Sequence, residues 1–115
     1  MQCISMKNKD NQKINVGWST LSSKEEAVSL VDGLISANLI ACGQIDGPIL
    51  SAYRWLGEVK QEEEWRIVVK FGQAQTSKVE EYIKKNHPYE NPQWVWGEMK
   101  TTKEYDNWAK SNLAQ

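Results

Sequence analysis

The chain predicts an α+β fold in which an antiparallel sheet carries two helices on one face. Two stretches, residues 23–37 and 73–86, repeat apolar residues at helical spacing, and stretches 14–18, 40–56, 59–71 and 93–99 read as strands. Their order is strand, helix, strand, strand, helix, strand, and only a short turn joins the two middle strands, which therefore form a hairpin. That order is the split βαβ, ferredoxin-like arrangement, here with a long β-hairpin and a short C-terminal helix.

Each element has its own signal. Ile14, Val16 and Trp18 share one face of the first strand, and Ser19-Thr20-Leu21-Ser22-Ser23 reads as a turn or cap cluster. Ser23 with Glu26 has the spacing of a capping box; Ala27, Leu30, Val31, Leu34 and Ile35 then recur as one helical face until Asn38 stops it. Residues 40–44 begin a strand, Gly47-Pro48 interrupts it, and residues 49–56 resume it before Gly57-Glu58 turns the chain. On the return Trp65, Ile67, Val69 and Phe71 alternate with Arg66, Val68 and Lys70. The second helix, opened by Thr76 or Ser77, carries Val79, Tyr82 and Ile83 on one face and Lys84 and Lys85 near its C-terminal dipole. Trp94-Val95-Trp96 alternates as a last strand, and Thr101-Thr102 with Glu104 and Tyr105 opens a closing helix through Lys110.

Composition bounds the function. A chain of 115 residues makes one domain, expected over residues 14–115, with residues 1–13 as a polar, frayed tail. Lys+Arg 14 against Asp+Glu 15 gives net charge −1, which removes the electrostatic footprint of a nucleic-acid or anionic-membrane partner. Apolar runs such as Leu39-Ile40-Ala41-Cys42 fall far short of the roughly 20 residues that span a bilayer, and the start has no apolar signal region; the expectation is a cytoplasmic protein. Cys3 and Cys42 form neither a disulfide framework nor a Cys-x-x-Cys metal pair, and Cys42 reads as a buried small hydrophobe rather than a reactive thiol.

Asn86-His87-Pro88-Tyr89-Glu90-Asn91-Pro92-Gln93 is the stretch richest in chemistry. It holds the one histidine of the chain against a tyrosine, and its two prolines stiffen the turn between helix and strand. A stiff His-Pro-Tyr turn suits a binding pocket; local chemistry alone favours the plainer reading, a helix end. The hairpin carries a second group. Its arms of about eight residues or more span roughly 26 Å, while a first helix of about 15 residues covers some 22 Å, so the tip overhangs. Tyr53, Trp55 and Leu56 sit there, with Trp65 on the returning arm; they are either interface residues or cover for a twisted hairpin folded over its own sheet. Glu62-Glu63-Glu64 reads as a solvated hairpin face.

Four motifs taken together resemble one family. Ala41-Cys42-Gly43-Gln44-Ile45, Tyr53-Arg54-Trp55-Leu56-Gly57-Glu58, Trp65-Arg66-Ile67-Val68-Val69-Lys70, and Val79-Glu80-Glu81-Tyr82-Ile83 running into His87-Pro88-Tyr89-Glu90-Asn91-Pro92 are similar, in order and spacing, to the CutA divalent-ion tolerance proteins. The resemblance covers about residues 14–111. It implies a ferredoxin-like subunit, a tight homotrimer shaped like the PII signalling proteins, and an association with copper and other divalent metals. It also implies a copper site built from a cysteine at the end of the first strand and a His-His pair before Pro-Tyr. This chain has Ser19, or Trp18 in the slipped register, at the cysteine's place and Asn86 at the first histidine's, which leaves His87 as the candidate metal ligand. One imidazole with hydroxyl and amide neighbours is a weak copper site.

The expected function is therefore a trimer linked to divalent metal tolerance that binds a metal ion or small molecule at clefts between subunits, where Tyr53, Trp55, Lys70, His87 and Tyr89 would meet. No cofactor is required, and a divalent metal such as copper would bind weakly. The alternative is a small enzyme using His87 as general acid or base. No nucleophile or oriented partner is paired with His87 in the sequence, so binding is favoured over catalysis.

Overall fold

The computed structural model describes residues 12–111. Strand β1 (Lys13–Leu21) leads to helix α1 (Lys24–Ser36), the hairpin β2 (Cys42–Trp55) and β3 (Glu58–Phe71), helix α2 (Thr76–Asn86), strand β4 (Val95–Lys100) and helix α3 (Lys103–Ser111). The four strands form one antiparallel sheet in the order β2-β3-β1-β4, which bears out the expected α+β arrangement. Lys13 pairs with Lys100, so the sheet begins one residue inside the expected tail; residues 1–11 and 112–115, Cys3 among them, lie outside the described part.

Alternation along the strands decides which face each side chain takes. Leu21, Ile67, Val69 and Phe71 point to one face and meet Ala27, Leu30, Val31 and Leu34 of α1 and Val79 and Ile83 of α2 in a single buried core. The opposite face carries Ile14, Val16, Trp18 and Val68, which pack with Ala109 and Tyr105 of α3. The closing helix thus covers part of the face that α1 and α2 leave open.

Local signals set the element ends. Ser23 caps α1, its Oγ accepting from the Glu26 N–H at 3.1 Å, while the Glu26 carboxylate accepts from the Ser22 hydroxyl instead of returning to the cap. Ser19, Thr20 and Leu21, expected in a turn, continue β1 opposite Ile67, Arg66 and Trp65 because the long β3 arm keeps offering them backbone partners. Ile35, expected on the buried face of α1, is 46% exposed, since the core side of the helix is filled by Leu34 and Val31. Trp94 precedes β4 rather than alternating within it; its indole lies on Gly17 and stacks on Phe71 with ring centroids 6.0 Å apart. Any Cβ at Gly17 would stand 2.3 Å from Trp94 Cη2, so glycine is needed there for the close approach.

The hairpin is longer than its outline in the sequence, with 14 residues in each arm. Leu56 and Gly57, at φ 50° and 83°, make the turn between Trp55 and Glu58, as the twist of a two-residue hairpin requires. β3 pairs with β1 only from Phe71 to Trp65, so Glu58 to Glu64 pair with β2 alone and the hairpin projects beyond the sheet. The molecule measures 58 × 29 × 23 Å as a result.

Candidate functional site

A β-bulge sets the chemistry of the projecting arm. Asp46 opposes Arg66 and Ile49 opposes Glu64, so Gly47 and Pro48 stand against Trp65 alone. The extra residue reverses the parity of β2. Before the bulge Cys42, Gln44 and Asp46 share a face with Lys70, Val68 and Arg66; after it Ser51, Tyr53 and Trp55 share that face with Glu62, Lys60 and Glu58. Both aromatic rings are thereby aimed over the carboxylates.

The turn after α2 closes the other side. β4 pairs with β1 only as far as Trp18, so Ser19 and Thr20 lack a strand on that edge. His87 fills the gap. Its Nδ1 accepts from the Tyr89 N–H at 3.1 Å, which places the ring hydrogen on Nε2, between the Thr20 carbonyl at 2.9 Å and Ser19 Oγ at 3.1 Å. The Tyr89 ring packs edge-on against the imidazole, 4.8 Å between centroids, and its hydroxyl donates to Glu64 Oε2 at 2.8 Å. Burial, that hydrogen bond and the nearby carboxylates push the Tyr89 phenol well above its ordinary range, so it stays a donor. Burial also lowers His87 below the ordinary histidine value, opposed by the Thr20 carbonyl and by Glu26 and Glu64.

These pieces enclose a cleft of about 700 Å³ lined by Thr20, Tyr53, Trp55, Glu62, Glu64 and Tyr89, with Asn91 and Gln93 at its rim. Tyr53, Trp55 and Tyr89, three of the expected binding residues, meet here. His87 stands behind Tyr89, 7% exposed, and shapes the cleft without lining it. Lys70 does not join them within one chain: it lies six residues along β3 from Glu64, roughly 20 Å away, and its ammonium donates to Gln44 at 3.0 Å. Glu64 was the residue hidden from the sequence. Inside a run of three glutamates it reads as solvated, yet it is 8% exposed because Tyr89 folds over it.

The implied metal ligands are only partly assembled. Ser19 touches His87, whereas the Asn86 amide turns back to donate to the Tyr82 carbonyl of its own helix. Neither imidazole nitrogen offers a free lone pair, and among the described residues no group of three or more His, Cys, Asp or Glu side chains is arranged to hold a metal ion. The same tautomer opposes catalysis, since a base that takes the Ser19 proton needs a bare Nε2. Cys42, expected to be buried, is a half-buried free thiol. No helix among the described residues is long and apolar enough to cross a membrane.

Sequence and structure comparisons place the fold in a family. A family model described as CutA1 divalent ion tolerance protein matches residues 15–112. The divalent-cation tolerance protein CutA of Thermotoga maritima is 31% identical over 97 residues, 84% of this chain and 95% of that protein, and the Thermus thermophilus protein of the same name is 33% identical over 94 residues, 81% and 91% of the two. Among solved structures, the divalent cation tolerance protein of Thermus thermophilus superposes with a TM-score of 0.82 at 31% identity, over 88% of this chain and 99% of that one. CutA1 from Oryza sativa does so with a TM-score of 0.84 at 28% identity, over 90% and 96%. The fold described above is thus shared across the match, and the chain belongs to the CutA1 divalent ion tolerance protein family.

Proposed function

We propose that the protein is a cytoplasmic homotrimer of PII-like architecture, linked to divalent metal tolerance, that binds a metal ion or small ligand at clefts between subunits. The observation that carries this reading is the cleft itself, built at the root of a hairpin whose outer half has no cover from the described part of its own chain. Trp55 is 56% exposed, and Leu50, Leu56 and Val59 on the same hairpin are exposed as well. Large apolar residues beyond a domain's own core favour a partner surface. Among the described residues β2 and β4 are the two sheet edges, and pairing unlike edges between copies is a head-to-tail contact, the kind that closes a ring when its rotation allows, rather than a two-fold dimer. The family resemblance supplies three as the number.

Within this reading a small molecule is favoured over a metal at His87, whose two nitrogens already serve backbone groups. Copper(II) is expected to bind weakly, because one imidazole beside a hydroxyl gives neither thiolate nor a second nitrogen. Calorimetry with Cu(II) on the full chain tests this. Weak binding that weakens further in His87→Ala supports the reading; tight binding that persists in His87→Ala contradicts it and moves the metal to another site.

A further inference from the structure

Glu64 is a carboxylate 8% exposed whose one hydrogen-bond donor among the described residues is the neutral Tyr89 hydroxyl. A buried charge is ordinarily matched by an opposite one, because desolvation without a counter-charge is costly. The described residues do not supply it. Their ion pairs join Lys60 to Glu58, Arg66 to Asp46, Lys84 to Glu80 and Lys110 to Asp106. Arg66, two residues from Glu64 on the same face, is committed to Asp46 through both Nε and Nη2. Glu62, also in the cleft, accepts from the neutral Tyr53 hydroxyl at 2.7 Å. The cleft therefore holds two carboxylates and one ammonium, Lys60, among three aromatic rings.

Resting on the ligand-cleft reading above, we propose that the cleft takes an organic cation, a guanidinium or ammonium on an apolar body, with its charge on Glu64 and its body against Tyr89 and Tyr53. Ring faces attract weakly hydrated organic cations. A hard divalent ion instead needs six or more oxygens in its shell, which two carboxylates beside indole and phenol rings do not offer. The volume of about 700 Å³ also exceeds what one ion fills and suits a metabolite-sized molecule. Ser51, Asn91 and Gln93 also line the cleft and carry the hydroxyl and amide groups that could bind polar groups on its body.

Titration calorimetry on the full chain with butylguanidinium and with butylurea, its uncharged counterpart of nearly the same shape, decides the matter. Butylguanidinium is expected to bind saturably, at least tenfold tighter than butylurea, and to weaken at least tenfold in Glu64→Gln, a variant that keeps the shape and the Tyr89 hydrogen bond. Equal binding of butylurea, or unchanged binding of butylguanidinium in Glu64→Gln, overturns the cation. If butylurea binds equally and Tyr53→Leu abolishes both, the cation proposal falls while the cleft remains a ligand site for uncharged molecules. If neither probe binds, or a crystal structure of the assembly shows a lysine or arginine of a second copy seated on Glu64, the proposal falls, while the trimer stands or falls separately on its mass.

Discussion

His87 is fixed by two backbone groups, an accepted N–H on Nδ1 and a carbonyl facing Nε2, and a proton added to Nδ1 would face the Tyr89 N–H. Because burial lowers its pKa, the folded chain takes up this proton less readily than the unfolded chain does, whose histidine titrates near 6.5. The contribution is fully present above pH 6.5 and is lost as the pH falls from there toward the lowered folded value. The urea midpoint of the native chain should drop between pH 7 and 5, and that drop should be smaller in His87→Gln; parallel slopes would contradict the account. At Gly17 the obstacle is steric. A methyl group there strikes the Trp94 ring, which is stacked on Phe71, so Gly17→Ala should cost about 1–3 kcal/mol. Ser19→Cys would set a thiol where the hydroxyl now stands, 3.1 Å from His87 Nε2, and should tighten Cu(II) binding at least tenfold by calorimetry.

Helix α1 and the β2–β3 hairpin show what local sequence does and does not reveal. Ser23, the Ala27-Leu30-Val31-Leu34 stripe and the alternation of Trp65, Ile67, Val69 and Phe71 could be read in advance because each depends on neighbours within a few residues. Ser23→Ala should cost about 1 kcal/mol, the worth of a side-chain cap, in thermal or urea unfolding. What could not be read depends on distant partners. The strand state of Ser19 and Thr20 comes from β3, the burial of Glu64 from Tyr89, and the place of α3 on the second sheet face from Ile14 and Val16. The sign at Gly47-Pro48 pointed to a bulge, but its consequence, the reversal that sets Tyr53 and Trp55 over Glu62 and Glu64, needs the register of both strands. If a neighbouring subunit covers the hairpin arm, Trp55→Ala should lower the melting temperature and loosen assembly, a buried indole being worth about 3–5 kcal/mol per subunit. A variant that melts with the native chain would show that the tryptophan anchors no interface.

The described part of the chain is elongated, 58 Å in its longest dimension, with a packed two-faced sheet at one end and a hairpin carrying exposed apolar residues at the other. A single copy leaves that hairpin, both sheet edges and one side of the cleft to water. Three copies arranged as a ring would cover the first two and wall the third. Whether three copies assemble is the question on which this arrangement rests. Light scattering on the full chain at micromolar concentration answers it most directly: the account predicts a mass near three times 13.2 kDa, and a mass of 13.2 kDa would contradict it.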